Sequence, residues 1–138
     1  MDNPTPIASL IRLSAQPEPV RFGGKALRVS KLIDAGLPTP PGFAIAANEG
    51  LDGLHGALTA LEHQAGAHLG EGLLIALRSS PVDPATPSIP AILNLGLTQC
   101  AMEAVTKRVG LRAALDLRRR LIQTFAVTAM GADPETFE

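Results

Sequence analysis

Aromatic rings are nearly absent from this chain. Its 138 residues include no tryptophan, no tyrosine and four phenylalanines. Proteins that hold single-stranded nucleic acid stack its bases on aromatic side chains, and that platform is missing. Charge of one sign is missing too: a formal net charge of −1 gives neither a basic footprint for nucleic acid nor an acidic tail. Cys100 is alone, which excludes a disulfide framework and a cysteine-based metal site and fits a reducing, cytoplasmic compartment. No apolar run approaches the roughly 20 residues of a membrane-spanning helix. A basic segment followed by an apolar run is not found at the N-terminus either, so no signal peptide is expected. What remains is room for one domain, with 46% hydrophobic residues to bury in a modest core.

The most informative stretch runs from residue 23 to residue 45. Gly23, Gly24 and Lys25 open a helical pattern in which Val29, Leu32 and Ile33 share a face, and Gly36 is a natural C-terminal stop. Pro38, Pro40 and Pro41 then hold the chain extended before Phe43, Ala44, Ile45 and Ala46 read as a short strand. Such an opening suits an anion. Glycines let backbone approach a phosphate, the N–H groups of a helix start point toward it, and Lys25 adds a full charge. It is not a Walker A loop, because the four-residue spacer is missing and Ala26 stands where Ser or Thr would hold magnesium. Taken alone, the triplet reads more simply as a turn and helix start with an exposed lysine.

Elsewhere the pattern alternates helix and strand. Residues 7–13 form a brief apolar patch ended by Pro17 and Pro19. Asn48 is a good N-cap for a helix reaching Leu69, with Leu51, Leu54, Leu58, Leu61 and Ala65 on one face and Gly50, Gly53, Gly56 and Gly66 weakening it. His55, His63 and His68 lie in that stretch without i, i+4 pairing or a neighbouring cysteine, so no metal site is expected. Residues 73–77 are a continuous apolar run, the mark of a buried strand, and deliver Arg78 at its end. Ligands often meet open sheets there; an edge arginine facing water is an equal alternative.

Pro81, Pro84, Pro87 and Pro90 recur at every third residue, favouring a stiff polyproline II strap that could also serve as a ligand for a partner groove. Thr98 caps a helix with Met102 and Val105 inward, and Gly110 ends it. A long helix over 111–130 follows, with Leu111, Ala114, Leu115, Leu121, Ile122, Phe125 and Ala129 expected on its buried side. Arg118, Arg119 and Arg120 are most simply a solvated face.

Three blocks, 23–45, 73–97 and 119–138, resemble the opening of the ATP-binding domain of the pyruvate phosphate dikinase and phosphoenolpyruvate synthase family, in family order. The resemblance rests on G-G-K at a helix start, on G-L-P-T-P-P-G-F after it, on L-L-I-A-L-R-S-S, on A-I-L-N-L-G-L, and on a long helix ending in Met-Gly and then Phe-Glu. It implies an α/β (α+β) fold, the N-terminal lobe of an ATP-grasp domain, with a small sheet and packed helices over 23–138 behind an extension at 1–22. Strands near 43–47, 73–78 and 91–95 are then expected in one sheet. It further implies that Lys25 and Arg78, with Gly23 and Gly24, face the phosphates of ATP in one shallow positive pocket.

The family pattern is incomplete. Ser80 replaces a glycine, and where the family has a glycine- and methionine-rich loop ending in Asp-Thr, this chain has Pro87, Pro90 and Ala91. Carboxylates that hold magnesium, the adenine clasp and a glycine-rich Thr-Cys-His motif find no counterpart here. The expectation is therefore weak ATP or phosphate binding, no magnesium site without the missing lobe, no catalytic residues and no phosphotransfer by the chain alone. A protein-interaction module on the same fold, or one half of a split phosphotransferase whose partner chain supplies the other lobe, are the alternatives. Neither nucleic acid nor a membrane is an expected partner.

Overall fold

The computed structural model describes residues 10–12, 19–46, 51–83 and 85–137. Its element order is β1 (Leu10–Arg12), α1 (Pro19–Asp34), β2 (Phe43–Ile45), α2 (Leu54–Ala65), β3 (Ile75–Leu77), β4 (Ile92–Leu95), α3 (Gln99–Val109), α4 (Leu111–Met130) and a 3-10 turn at Pro134–Phe137. The class is α+β, as expected. The chain divides into two compact units, residues 1–65 with 80–88 and residues 66–79 with 89–138.

In the first unit, β1 and β2 pair antiparallel, with Leu10 opposite Ile45 and Arg12 opposite Phe43. Helix α1 starts at Pro19, earlier than the expected Gly24, with proline at the first position where its missing N–H costs nothing. It ends in a Schellman closure: Gly36 has φ 72°, its N–H donates to the Ile33 carbonyl and the Leu37 N–H to the Leu32 carbonyl. Phe22 and Ala26 bury one side of α1 with Ala46, and Ala44 packs against them. Ser30, on the same helix, is fully buried, and its hydroxyl finds no partner. Helix α2 is shorter than the periodicity predicts. Gly53 (φ 83°) and Gly66 (φ 66°) hold backbone conformations that L residues avoid, and the helix runs only between them, with Leu61 buried. The expected cap Asn48 lies outside the described residues.

In the second unit, β3 pairs antiparallel with β4, Ile75 opposite Leu95 and Leu77 opposite Ile92, with an irregularity between. Asn94 adopts φ 60° in β4, a region Asn tolerates better than most residues. Thr98 caps α3 as predicted: its Oγ1 accepts from the Ala101 N–H at 3.2 Å and donates to the Gly70 carbonyl. Gly110 (φ 84°) separates α3 from α4, and Gly131 (φ 70°) closes α4. The core is Leu97, Ala101, Met102 and Ala114, with Leu74, Val105, Leu117 and Leu121 packed against it.

Three expectations are corrected. Among the described residues β2 does not share a sheet with β3 and β4; there are two ladders of two strands each. The residue 7–13 patch supplies a strand, and β2 pairs with that one, a possibility strand propensity leaves open because it does not choose partners. The buried strand of 73–77 shortens to 75–77, and both Ala76 and Leu77, on opposite faces of it, are exposed. On α4 the buried side is Ala114, Leu117 and Leu121, where α3 packs, whereas Leu111, Leu115, Ile122, Phe125 and Ala129 are exposed. Apolar residues occupy two faces of that helix, and composition does not say which one finds a partner.

Candidate phosphate site

Within α1 the residue Gly23 is not helical: φ 76° and ψ 166° turn the backbone, so a short leading turn is kinked away from the helix that proceeds from Gly24. Only glycine occupies that region at little cost. Sterics demand it as well, because a Cβ at Gly23 would lie 1.7 Å from the Ser80 carbonyl oxygen. The segment 80–88, part of the same unit, is thus pressed against the kink. Just after the kink, the Ser80 hydroxyl accepts from the Ala26 N–H at 3.2 Å, so α1 receives its N-terminal cap from a residue 54 positions away.

Lys25 is exposed, and its Nζ donates to the Ser88 hydroxyl at 3.0 Å. A neutral hydroxyl leaves the ammonium its full charge and two further donors. Arg28 folds back along the helix, its Nε donating to the Gly24 carbonyl at 3.2 Å. The kink therefore carries a lysine that meets no carboxylate among the described residues, beside a backbone that approaches closely because it lacks Cβ atoms. Such an arrangement can accept an anion from solvent.

The strap that provides the two serines does not follow a through-going polyproline course. The Ala85 N–H donates to Asp83 Oδ1 at 2.9 Å and the Thr86 N–H to the Asp83 carbonyl at 3.0 Å, closing a turn. Asp83 followed by Pro84, the types favoured at the first and second positions of a turn, is a turn signal in its own right, and the proline period concealed it.

Gly23, Gly24 and Lys25 belong to the first unit, and Arg78 to the second. Arg78 directly follows β3 and is exposed. Sequence reasoning missed Ser80 and Ser88 as partners of the helix start; the Gly23–Ser80 approach and the Lys25 contact depend on tertiary placement. Among the described residues no group of three or more His, Cys, Asp or Glu side chains gathers. For phosphate, the charge of Lys25 and the glycine kink do fit.

On α4 Arg119 and Arg120 are exposed, as a solvated face requires, and the three arginines make hydrogen bonds to neighbouring side chains. Asp116 accepts from Arg119 Nη2 and from Arg120 Nε at 2.7 Å each, Arg119 also reaches Gln123, and Arg118 donates to Gln99. Hydrogen bonds from Arg119 and Arg120 hold the Asp116 carboxyl below its ordinary pKa.

No protein-family profile matches the chain. Among curated proteins, it is 32% identical over 136 residues to pyruvate, phosphate dikinase of Rhizobium meliloti (strain 1021), covering 86% of this chain and 15% of that protein. Pyruvate, phosphate dikinase of Clostridium symbiosum is 31% identical over 135 residues, and pyruvate, phosphate dikinase 2 of Oryza sativa subsp. japonica 30% over 133, each across 85% of this chain and 15% of the relative. The chain thus spans about one seventh of the length of the relatives it matches.

Proposed function

We propose, for a chain related in sequence to one segment of pyruvate phosphate dikinase, that the Gly23–Gly24–Lys25 kink is a weak phosphate-binding element for a nucleotide such as ATP. The single observation that carries the reading is the glycine kink itself. It presents Lys25 in solvent, where among the described residues its ammonium donates to the Ser88 hydroxyl alone. Gly23 and Gly24 allow close approach and Lys25 supplies charge; a phosphate contact for Arg78, which lies on the second unit, is suggested by the family resemblance alone. Lysine there would act as a point charge on a phosphate oxygen.

Magnitudes set the strength. An exposed charged contact contributes roughly 0.2–1 kcal/mol, and a millimolar complex needs about 4 kcal/mol. A few such contacts sum to about 1–3 kcal/mol, so the expected affinity is millimolar or weaker. Phosphoryl transfer requires metal neutralisation as well as positioning, and the family resemblance matches neither magnesium carboxylates nor an adenine clasp to these residues, so the proposal is limited to binding.

Titration of the full chain with Mg-ATP and, separately, with inorganic triphosphate, followed by amide chemical shifts, tests this. Both should move the signals of residues 23–26 with millimolar dissociation constants that weaken as salt rises, and Lys25→Ala should abolish the shifts. A micromolar constant that survives high salt, or shifts unchanged in Lys25→Ala, would overturn the reading. A second reading, a protein-interaction module on the same fold, draws its support from the apolar positions that α4 leaves exposed.

A further inference from the structure

The kink at the start of α1 is already met by oxygens of the chain itself, and one residue brings two of them. Ser80 lays its carbonyl oxygen in the space that Gly23 leaves open: a Cβ there would stand 1.7 Å from that oxygen and 2.6 Å from the Ser80 hydroxyl. The same hydroxyl accepts from the Ala26 N–H at 3.2 Å. Close backbone approach and a backbone donor are the two features by which a glycine-rich helix start receives a phosphate oxygen. Ser80 occupies both. A backbone amide has one hydrogen to give, so Ala26 cannot serve Ser80 and an anion at full strength together.

Ser88, at the far end of segment 80–88, meets the side chain next to it, accepting from Lys25 Nζ at 3.0 Å. Neighbouring residues of α1 thus hold the two ends of one segment. Between those ends the segment closes on Asp83, which accepts from the Ala85 and Thr86 N–H groups. The residues that flank it are tied as well, the Ser79 hydroxyl donating to the Ile89 carbonyl at 3.1 Å. Little apolar burial adds to these bonds: Val82 is 49% exposed, and residues 85–88 are exposed. A segment held by a few polar contacts opens at low free energy.

We propose that segment 80–88 is an autoinhibitory latch: Ser80 stands in for a phosphate oxygen and must leave the kink before a phosphate is fully received. The inference rests on the phosphate reading of Lys25 and adds its regulation. The two pinned residues differ in what they can still give. Lys25 keeps two ammonium hydrogens with Ser88 in place, so it draws an anion to the latched kink. Ala26 has no spare hydrogen until Ser80 withdraws. An anion with several oxygens, such as a polyphosphate, can hold Lys25 with one and displace Ser80 with another. Its apparent affinity is then reduced by the fraction of chains in which the latch is open.

Titration of the full chain with inorganic triphosphate at fixed ionic strength, read from the amide shifts of residues 23–26, tests the latch. Ser80→Ala deletes the competing hydroxyl and should bind about fivefold more tightly than the wild type, the contribution of one net hydrogen bond. In the wild type the Val82 amide should shift with the same midpoint as the Ala26 amide, because the latch lifts as the anion arrives. Equal binding by Ser80→Ala overturns the proposal. Weaker binding overturns it too, by making the hydroxyl a phosphate ligand instead of a competitor. Should Ser80→Ala lose its circular dichroism signal, the wild type decides alone, and a Val82 amide that stays still while Ala26 shifts overturns the latch. Failure of the phosphate reading has its own signature: Lys25→Ala binds as the wild type does, or no chain binds, and the latch falls with it.

Discussion

Gly23 and Gly110 hold almost the same backbone conformation, φ 76°, ψ 166° and φ 84°, ψ 155°, and yet they serve different purposes. Around Gly110, between α3 and α4, an added Cβ would meet nothing within 4 Å. Around Gly23 the same atom would meet the Ser80 carbonyl oxygen at 1.7 Å and the Ser80 hydroxyl at 2.6 Å. One glycine is needed for its dihedral angles alone, the other for its angles and for its emptiness. The difference between them isolates packing from conformation, and it falls at the candidate phosphate site.

The sharpest way to break this comparison is to put alanine at both. Gly110→Ala should cost about 1–3 kcal/mol, the strain of a non-glycine residue in that region. Gly23→Ala adds displacement of backbone and should cost about 4 kcal/mol or more, enough to consume much of a marginal fold. Urea unfolding followed by circular dichroism measures both; equal losses would show that the Ser80 approach contributes nothing.

The next effect compares how the two units cap their helices. Thr98 caps α3 from three residues away and also donates to the Gly70 carbonyl. Thr98→Ala should lower stability by about 1–2 kcal/mol in the same assay. Ser80 caps α1 from a distant segment, and Ser80→Ala leaves the Ala26 N–H, part-buried, without that acceptor. A loss of about 1 kcal/mol is expected. Ser88→Ala, which among the described residues removes only a hydrogen bond to the exposed Lys25, should fall within about 0.5 kcal/mol of the wild type. If Ser88→Ala proved the costlier of the two, the strap would be anchored through Lys25 rather than through the kink.

The smallest effect belongs to the surface of the second unit. The folded pKa of Asp116 is lowered by its hydrogen bonds to Arg119 and Arg120. A lowered carboxylate pKa contributes stability above the unfolded value near 4, and that contribution is lost as pH falls through the folded value. Asp116 is solvent-exposed enough that the contribution is slight. Urea midpoints of wild type and Asp116→Asn should differ a little at neutral pH and converge in acid; a gap that widens in acid would reverse the sign of the argument.

Local chemistry was readable from the chain itself. Gly36 ends α1 because the C-terminal closure wants a residue at positive φ, and Thr98 starts α3 because a hydroxyl can reach an orphan N–H three residues on. Gly110, Gly131 and the span of α4 follow from the same short-range physics; the triplet at 23–25 reads only as a helix start, and the kink at Gly23 inside a helix that begins at Pro19 does not follow from it. Pairing was not readable. Strand-forming residues in β2 specify an extended segment but not that its neighbour is β1, and the repeat of α4 specifies apolar positions but not that α3 covers Ala114 while Leu115 is left in solvent. Those outcomes depend on which surfaces meet. So do the hydroxyls of Ser80 and Ser88 at the start of α1, because contacts across more than fifty residues are set by the path of the whole chain and not by the preferences of any stretch of it.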